Sequence, residues 1–174
     1  MLKTTGLVHL FGICLFGHLG LFRASDFGFR IWRQEVELML KGLSHIAIWV
    51  TGIERSLDFY LRIPGVTEHF RLTKEDGSVW LIYLRVGPNQ FIELFPRAQG
   101  PYERPTNAGY SHFCLEVDDM QAWYRSLIQA GITPKSEPKL GADRSWQVWT
   151  DDPDGNPIEF HEFTPDSKQR ESAC

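Results

Sequence analysis

The chain predicts an α+β fold made of two tandem copies of one module. Each copy is a strand, a helix and further strands, and the faces left free by the helices meet across a cup that holds a metal site. Three observations carry this. The stretches SHIAIWV (44–50) and SHFCLEV (111–117) share Ser-His and a period-2 apolar pattern. Behind each, at the same offset, stands one face of a helix, with Ile53, Leu57, Tyr60 and Leu61 matching Met120, Tyr124, Leu127 and Ile128. Further on, Glu93 in FIELF falls on Glu159 in PIEFHEF. Self-similarity at a fixed spacing is the mark of a duplicated structural unit.

The elements follow in order. Strand 44–50 turns Ile46, Ile48 and Val50 toward its helix and His45, Ala47 and Trp49 to the other face. The first helix runs from Ile53 toward Gly65, which can end it. Beyond it the offset shortens by one residue, as a deletion near the helix end would require, and Trp80, Ile82 and Ile92 match Trp146, Val148 and Ile158. Module 1 therefore spans 43–96. RAQGPYERPTNAG (97–109), rich in Pro, Gly and polar residues, is a linker. Module 2 spans 110–163, with Phe113, Leu115 and Val117 toward its helix and His112, Cys114 and Glu116 on the other face. Asp118 or Asp119 caps its helix, Gly131 ends it, and the turn DPDGNP (152–157) leads into the last strand. Residues 164–174 form a C-terminal tail.

Composition excludes several partners. A chain of 174 residues can bury roughly two-thirds of its unfolded surface. Its 43% hydrophobic and 23% charged residues are ordinary for a soluble globular protein, and a net charge of −4 leaves no basic footprint for nucleic acid. Cys14, Cys114 and Cys174 lie far apart and form no Cys-x-x-Cys pair, so neither a disulfide framework nor a thiolate zinc site is expected, and a reducing, cytoplasmic location is. GLVHLFGICLFGHLGLF (6–22) is apolar but interrupted by His9 and His18, and only Ala24 behind it suits a cleavage site. Residues 1–38 are therefore expected to be a non-essential N-terminal extension, with MLKGLSHIAIWV from Met39 a natural chain start and no membrane partner.

Glu93 is bracketed by Phe91, Ile92, Leu94 and Phe95, and Glu159 by Ile158 and Phe160. A buried ionised carboxylate requires compensation. Arg85 or Arg144 would serve, but duplication of both His and Glu favours a shared cation, held by His45, Glu93, His112 and Glu159. Nitrogen and oxygen ligands without thiolate suit Ni, Co, Zn, Mn or Fe. Four protein ligands on a six-coordinate ion leave two positions for a substrate with adjacent oxygens, whereas an Fe(II) oxygenase keeps three open. Isomerase chemistry fits that count better. Trp49, Glu116 and His161 face the same cup. His161 is either a group bonded to the site, a substrate contact or a solvated rim residue, and Cys114 is a small packing residue rather than a nucleophile.

Residues 43–163 resemble the vicinal oxygen chelate superfamily of glyoxalase I, bleomycin-resistance proteins and extradiol dioxygenases. HIAIWVTGIERSLDFY resembles its first-module signature and DDPDGNPIEF its closing one. The resemblance implies two tandem βαβββ modules whose eight strands form a cupped sheet around a divalent ion, with His45, Glu93, His112 and Glu159 in the four ligand positions. That order is the one in glyoxalase I. Extradiol dioxygenases and fosfomycin-resistance enzymes use two His and one Glu, and methylmalonyl-CoA epimerase has Gln at the position of Glu93. The implied activity is that of a glyoxalase I-like lyase or isomerase acting on a small α-oxygenated carbonyl compound through an enediolate, with Glu159 as the first candidate base and Glu93 the second. The alternatives are a small-molecule binding or resistance protein and an extradiol-type dioxygenase. Bacterial glyoxalase I places Arg and Asn against the glutathione carboxylate where this chain has Trp49 and Arg97, so Trp49 and Arg97 become substrate candidates and lactoylglutathione lyase activity is doubtful. Members of the superfamily close the cup within one chain or between the subunits of a dimer, and the linker allows either, including a homodimer.

Overall fold

The computed structural model describes residues 41–106 and 108–170, so the expectation for residues 1–38 lies outside the described residues. The elements are β1 (His45–Trp49), α1 (Ile53–Arg62), β2 (Thr67–Thr73), β3 (Val79–Gly87) and β4 (Gln90–Phe95) in module 1, then β5 (Phe113–Glu116), α2 (Met120–Gln129), β6 (Lys139–Leu140), β7 (Ser145–Asp151) and β8 (Pro157–Phe163) in module 2. Two copies of βαβββ are present. They form two four-stranded sheets, ordered β1-β4-β3-β2 and β5-β8-β7-β6, rather than one continuous cup of eight. In each, the first strand runs parallel to the last, and the remaining pairs are antiparallel. Strands β1 and β5 are therefore sheet edges, each with one side unpaired.

The helix ends follow the local sequence. Asp119 caps α2, its Oδ1 accepting the Ala122 amide at 2.9 Å, and Gly131 turns the chain out of the helix at φ 72. Gly65 does the same after α1 at φ 83. The core is a single apolar cluster that joins the helix-facing rows of both modules, among them Ile48, Val50, Leu57, Ile82, Leu84, Ile92, Leu94, Phe113, Met120, Leu127, Val148, Ile158 and Phe160. Two expected core positions are corrected. Leu61 and Ile128, equivalent in the repeat, are 41% and 51% exposed. The buried face of α1 is rotated toward Ser56, Phe59, Tyr60 and Ile63, and at about 100° per residue Leu61 falls on the solvent side of that stripe.

The modules are joined through the DPDGNP turn. Asp152 Oδ1 accepts the amides of Asp154 (2.9 Å) and Asn156 (2.8 Å), while Oδ2 accepts Asn156 Nδ2 (2.8 Å) and the Tyr60 hydroxyl from α1 (3.0 Å). Asp154 accepts the Thr51 amide (2.9 Å), the Thr51 hydroxyl and Arg55 Nη2 (2.5 Å). Arg62 Nη1 donates to the Gly131 carbonyl (3.2 Å) at the end of α2, where a cation offsets the helix dipole. The tail is tied down as well, for Ser167 is fully buried and its hydroxyl lies 2.7 Å from that of Ser145. Among the described residues no helix is long and apolar enough to cross a membrane.

Burial, and then the Asp152 carboxylate, hold the Tyr60 hydroxyl well above its ordinary value. A raised pKa in the folded state contributes stability that is complete below the unfolded value of about 10 and is lost as pH rises beyond it. Tyr60→Phe is expected to cost about 1–3 kcal/mol in a urea melt at pH 7. The gap between the two proteins should narrow when the melts are repeated at pH 11.

Candidate metal centre and its surroundings

In both sheets the face opposite the shared core sets one histidine against one carboxylate. His45 begins β1, and its Nε2 lies 3.7 Å from Glu93 Oε2 on the adjacent β4. His112 stands immediately before β5, and its Nε2 lies 3.0 Å from Glu159 Oε2 on β8. The parallel register sets Ala47 beside Glu93 and Cys114 beside Glu159, while the antiparallel neighbour brings Tyr83 to Glu93 and Trp149 to Glu159. Each pair is thus framed by repeat-equivalent residues. Tyr83 meets His45 edge-on at 5.8 Å, and Trp149 meets His112 at 4.6 Å.

Glu93 and Glu159 are only 8% and 6% exposed. Among the described residues neither makes an ion pair with a Lys or Arg, and the facing histidine is the sole charge-capable partner within ion-pair reach. Arg85, named above as a candidate counter-ion, is engaged elsewhere: Nη1 donates to the Pro88 carbonyl at 2.8 Å, Nη2 lies 3.2 Å from His69 Nδ1, and the guanidinium covers the Phe91 ring at 5.1 Å. Two cis ligands each about 2.1 Å from an ion stand about 3.0–3.4 Å apart. The His112–Glu159 pair has that spacing and the His45–Glu93 pair is slightly wider. The donor chemistry therefore fits a divalent cation. The full set of four does not assemble within one chain, because among the described residues no three His, Cys, Asp or Glu side chains cluster as a metal site.

The remaining expected site residues are placed unevenly. Trp49 ends β1 and is 62% exposed, Arg97 is exposed beyond β4 with its guanidinium 5.8 Å from the Phe95 ring, and Glu116 is exposed at the end of β5. His161 is not a solvated rim residue. It is 5% exposed, paired in register with Glu116 and Gln147, and its Nε2 lies 3.3 Å from Asp143 Oδ2 without an aligned hydrogen bond. Three neighbours escaped the sequence reading: Tyr83, Trp149 and Asp143. The first two stand at the same offset as Ile82 and Val148, so continuing the repeat by one residue would have found them. Asp143 lies in the loop before β7, which has no repeat signal, and only the fold brings it to His161.

The family model of the Glyoxalase/Bleomycin resistance protein/Dioxygenase superfamily matches residues 42–160. The chain belongs to that superfamily. Among its curated relatives within it, the glutathione transferase FosA of Serratia marcescens is 27% identical over 125 residues, covering 71% of this chain and 82% of the relative. The ethylmalonyl-CoA/methylmalonyl-CoA epimerase of Cereibacter sphaeroides is 31% identical over 112 residues, covering 60% and 83%. The crystal structure of SMU.1112c superposes with a TM-score of 0.60 at 25% identity, covering 71% of this chain and 99% of that one. Members of the superfamily typically use divalent metal ions and act on small molecules.

Cys114 remains accessible at the unpaired edge of β5, yet burial of the thiol, and then the charge of Glu159, push it up to about 12. After dialysis against EDTA the Cys114 peptide should be alkylated slowly by iodoacetamide at pH 7.5, with a rate still climbing at pH 11. Glu159→Gln should accelerate the labelling, as followed by peptide mass spectrometry.

Proposed function

We propose that the protein is a homodimeric, divalent-metal-dependent lyase or isomerase of the glyoxalase I kind, acting on a small α-oxygenated carbonyl compound. The observation that supports this most directly is the pair of buried carboxylates, Glu93 and Glu159, each facing a histidine at repeat-equivalent positions and neither neutralised by Lys or Arg among the described residues. His45, Glu93, His112 and Glu159 would hold the ion. When bound, the ion would polarise a substrate carbonyl and stabilise negative charge on its oxygen. Glu159 accepts the proton α to that carbonyl and returns it, with Glu93 the alternative acceptor on the facing wall. Cys114 stays protonated near neutral pH and takes no part as a nucleophile. Trp49 and the aromatic residues Phe70, Tyr83 and Phe91 supply an apolar surface for the substrate body, and Arg97 reaches an anionic group at the rim. A relative of the superfamily bears the name of an epimerase, which is chemistry of the same isomerase class.

A second reading, a small-molecule binding protein, is favoured by one observation alone: the four ligands are not gathered within one chain. Elemental analysis separates the two. About one divalent ion per chain after gentle purification supports the enzyme, and none supports the binder.

His45→Ala, Glu93→Ala, His112→Ala and Glu159→Ala are each expected to lower metal content in that measurement. Full metal content and activity in Glu93→Ala would mean a three-ligand site and would remove the basis of the isomerase assignment. With metal restored, Glu159→Gln should lower kcat by about 10²–10⁴-fold. Because Trp49 replaces a carboxylate-binding Arg, the methylglyoxal–glutathione hemithioacetal should turn over at well under about 10 per second with Ni, Co, Zn or Mn. Faster conversion would make the protein a lactoylglutathione lyase.

A further inference from the structure

We infer that the substrate carries an oxyanion, a carboxylate or a phosphate, set apart from its chelating oxygens by a flat apolar body, and that Arg85, backed by His69, receives it. This rests on the metal-centre reading above for the reacting end and adds to it the class of compound that the site selects.

Strand register sets the place. Arg85 pairs with Phe91, and the next pair on the same face of the sheet is Tyr83 with Glu93. Two residues along a strand span about 7 Å, so Arg85 stands about that far along the sheet from the carboxylate of the proposed centre. Its guanidinium lies over the Phe91 ring at 5.1 Å, and the His69 ring stacks on the same phenyl at 5.2 Å. Phe70 stacks on Tyr83 at 4.6 Å. The floor between Glu93 and Arg85 is therefore aromatic.

Arg85 is half-buried, yet nothing of opposite sign answers it. Among the described residues no carboxylate lies within ion-pair reach of its guanidinium. The Pro88 carbonyl accepts from Nη1 at 2.8 Å, and His69 Nδ1 faces Nη2 at 3.2 Å. The rest of a guanidinium's N–H fork stays open. These contacts hold the fork in place without neutralising it, which suits the capture of an oxyanion.

The repeat shows that the module itself does not need this cation. At the offset that joins Tyr83 to Trp149 and Glu93 to Glu159, Arg85 falls on Asp151 and Phe91 on Pro157, and those two are also in register. Asp151 is answered by Lys135 Nζ at 2.5 Å. Charge at this place is closed within module 2 and left open in module 1. Arg97, at the opposite end of β4, is exposed, and among the described residues its guanidinium meets the Phe95 ring alone, at 5.8 Å. A cation already held by a carbonyl, an imidazole and a phenyl ring loses less freedom when a ligand arrives, so Arg85 is the better prepared of the two.

The test is calorimetric titration of the full-length protein with phenyl phosphate and with benzoate, against benzyl alcohol as the uncharged control. Both anions should bind at least about tenfold more tightly than the alcohol, and the tighter of the two names the group that the substrate carries. Arg85→Gln should remove that advantage and leave the alcohol unchanged, while Arg85→Lys, which keeps the charge without the fork, should recover part of it. In the wild type the Arg85 Nε–H NMR resonance should move as either anion is added. That measurement needs no variant, so it stands even where Arg85→Gln, deprived of its Pro88 contact, fails to fold. Equal anion affinity in the wild type and a folded Arg85→Gln would overturn the inference, as would an unmoved Arg85 resonance or loss of the anion preference in Arg97→Gln alone. Dialysis against EDTA separates the subsite from the metal-centre reading. Anion binding that survives EDTA and fails in Arg85→Gln supports the subsite even where elemental analysis finds no ion. Binding that EDTA abolishes and Arg85→Gln leaves untouched places the anion on the ion, which supports the centre and refutes the subsite.

Discussion

The arrangement depends on a single turn of chain. Asp152 and Asp154, both almost wholly buried, accept seven hydrogen bonds between them, from their own turn and from Thr51, Arg55 and Tyr60 of the other module. A buried carboxylate with its lone pairs filled is a strong and directional tie, and one left with few donors would be costly. Within the turn Asp152 Oδ1 accepts the amides of Asp154 and Asn156, and the turn presents an anionic socket to α1. Arg55 and Tyr60 enter that socket from two points on α1, which fixes the rotation of α1 against module 2. The exposure of Leu61 follows from the same rotation.

Much of this fold was legible in the chain because duplication writes each signal twice. The strand pattern at 44–50 is ambiguous by itself, and so is the one at 111–117. Together, with matched helix faces and matched glutamates, they define a module, its boundary and its His–Glu pair. Asp119 and Gly131 were readable because caps and left-handed glycines are local chemistry. The helix rotation was not readable, since Ser56 is polar and nothing in its neighbours announces that it is fully buried while Leu61 is not. The division into two sheets was equally hidden. Alternation of side chains shows that a strand has two faces, but which of them receives the second module depends on long-range contacts such as Tyr60–Asp152, whose partners are separated by most of the domain.

The His–Glu pairs show how the same restraint operates on electrostatics. Each carboxylate sits at the middle of a strand flanked on both sides by other strands, so its backbone neighbours offer it no free amide. Arg85 is near in the sheet but is held by Pro88 and His69 and lies over Phe91. The charge on Glu93 is therefore left to His45, and that on Glu159 to His112. Strand pairing keeps the two atoms of each pair together without requiring that they satisfy one another.

The two copies share their His–Glu pairs and differ in the residues beside them. Ala47 corresponds to Cys114 and Tyr83 to Trp149, and the aromatic group of Phe70, Tyr83 and Phe91 has no equal on the module 2 face, where Gln147 and His161 stand instead. In the proposed reaction, a flat carbonyl group seated between such walls would meet a hydrocarbon surface on one side and hydrogen-bonding groups on the other. Its two faces are then no longer interchangeable. A proton removed and returned from the Glu159 side would arrive on one face alone, so the divergence of the repeats would express itself as the handedness of the product.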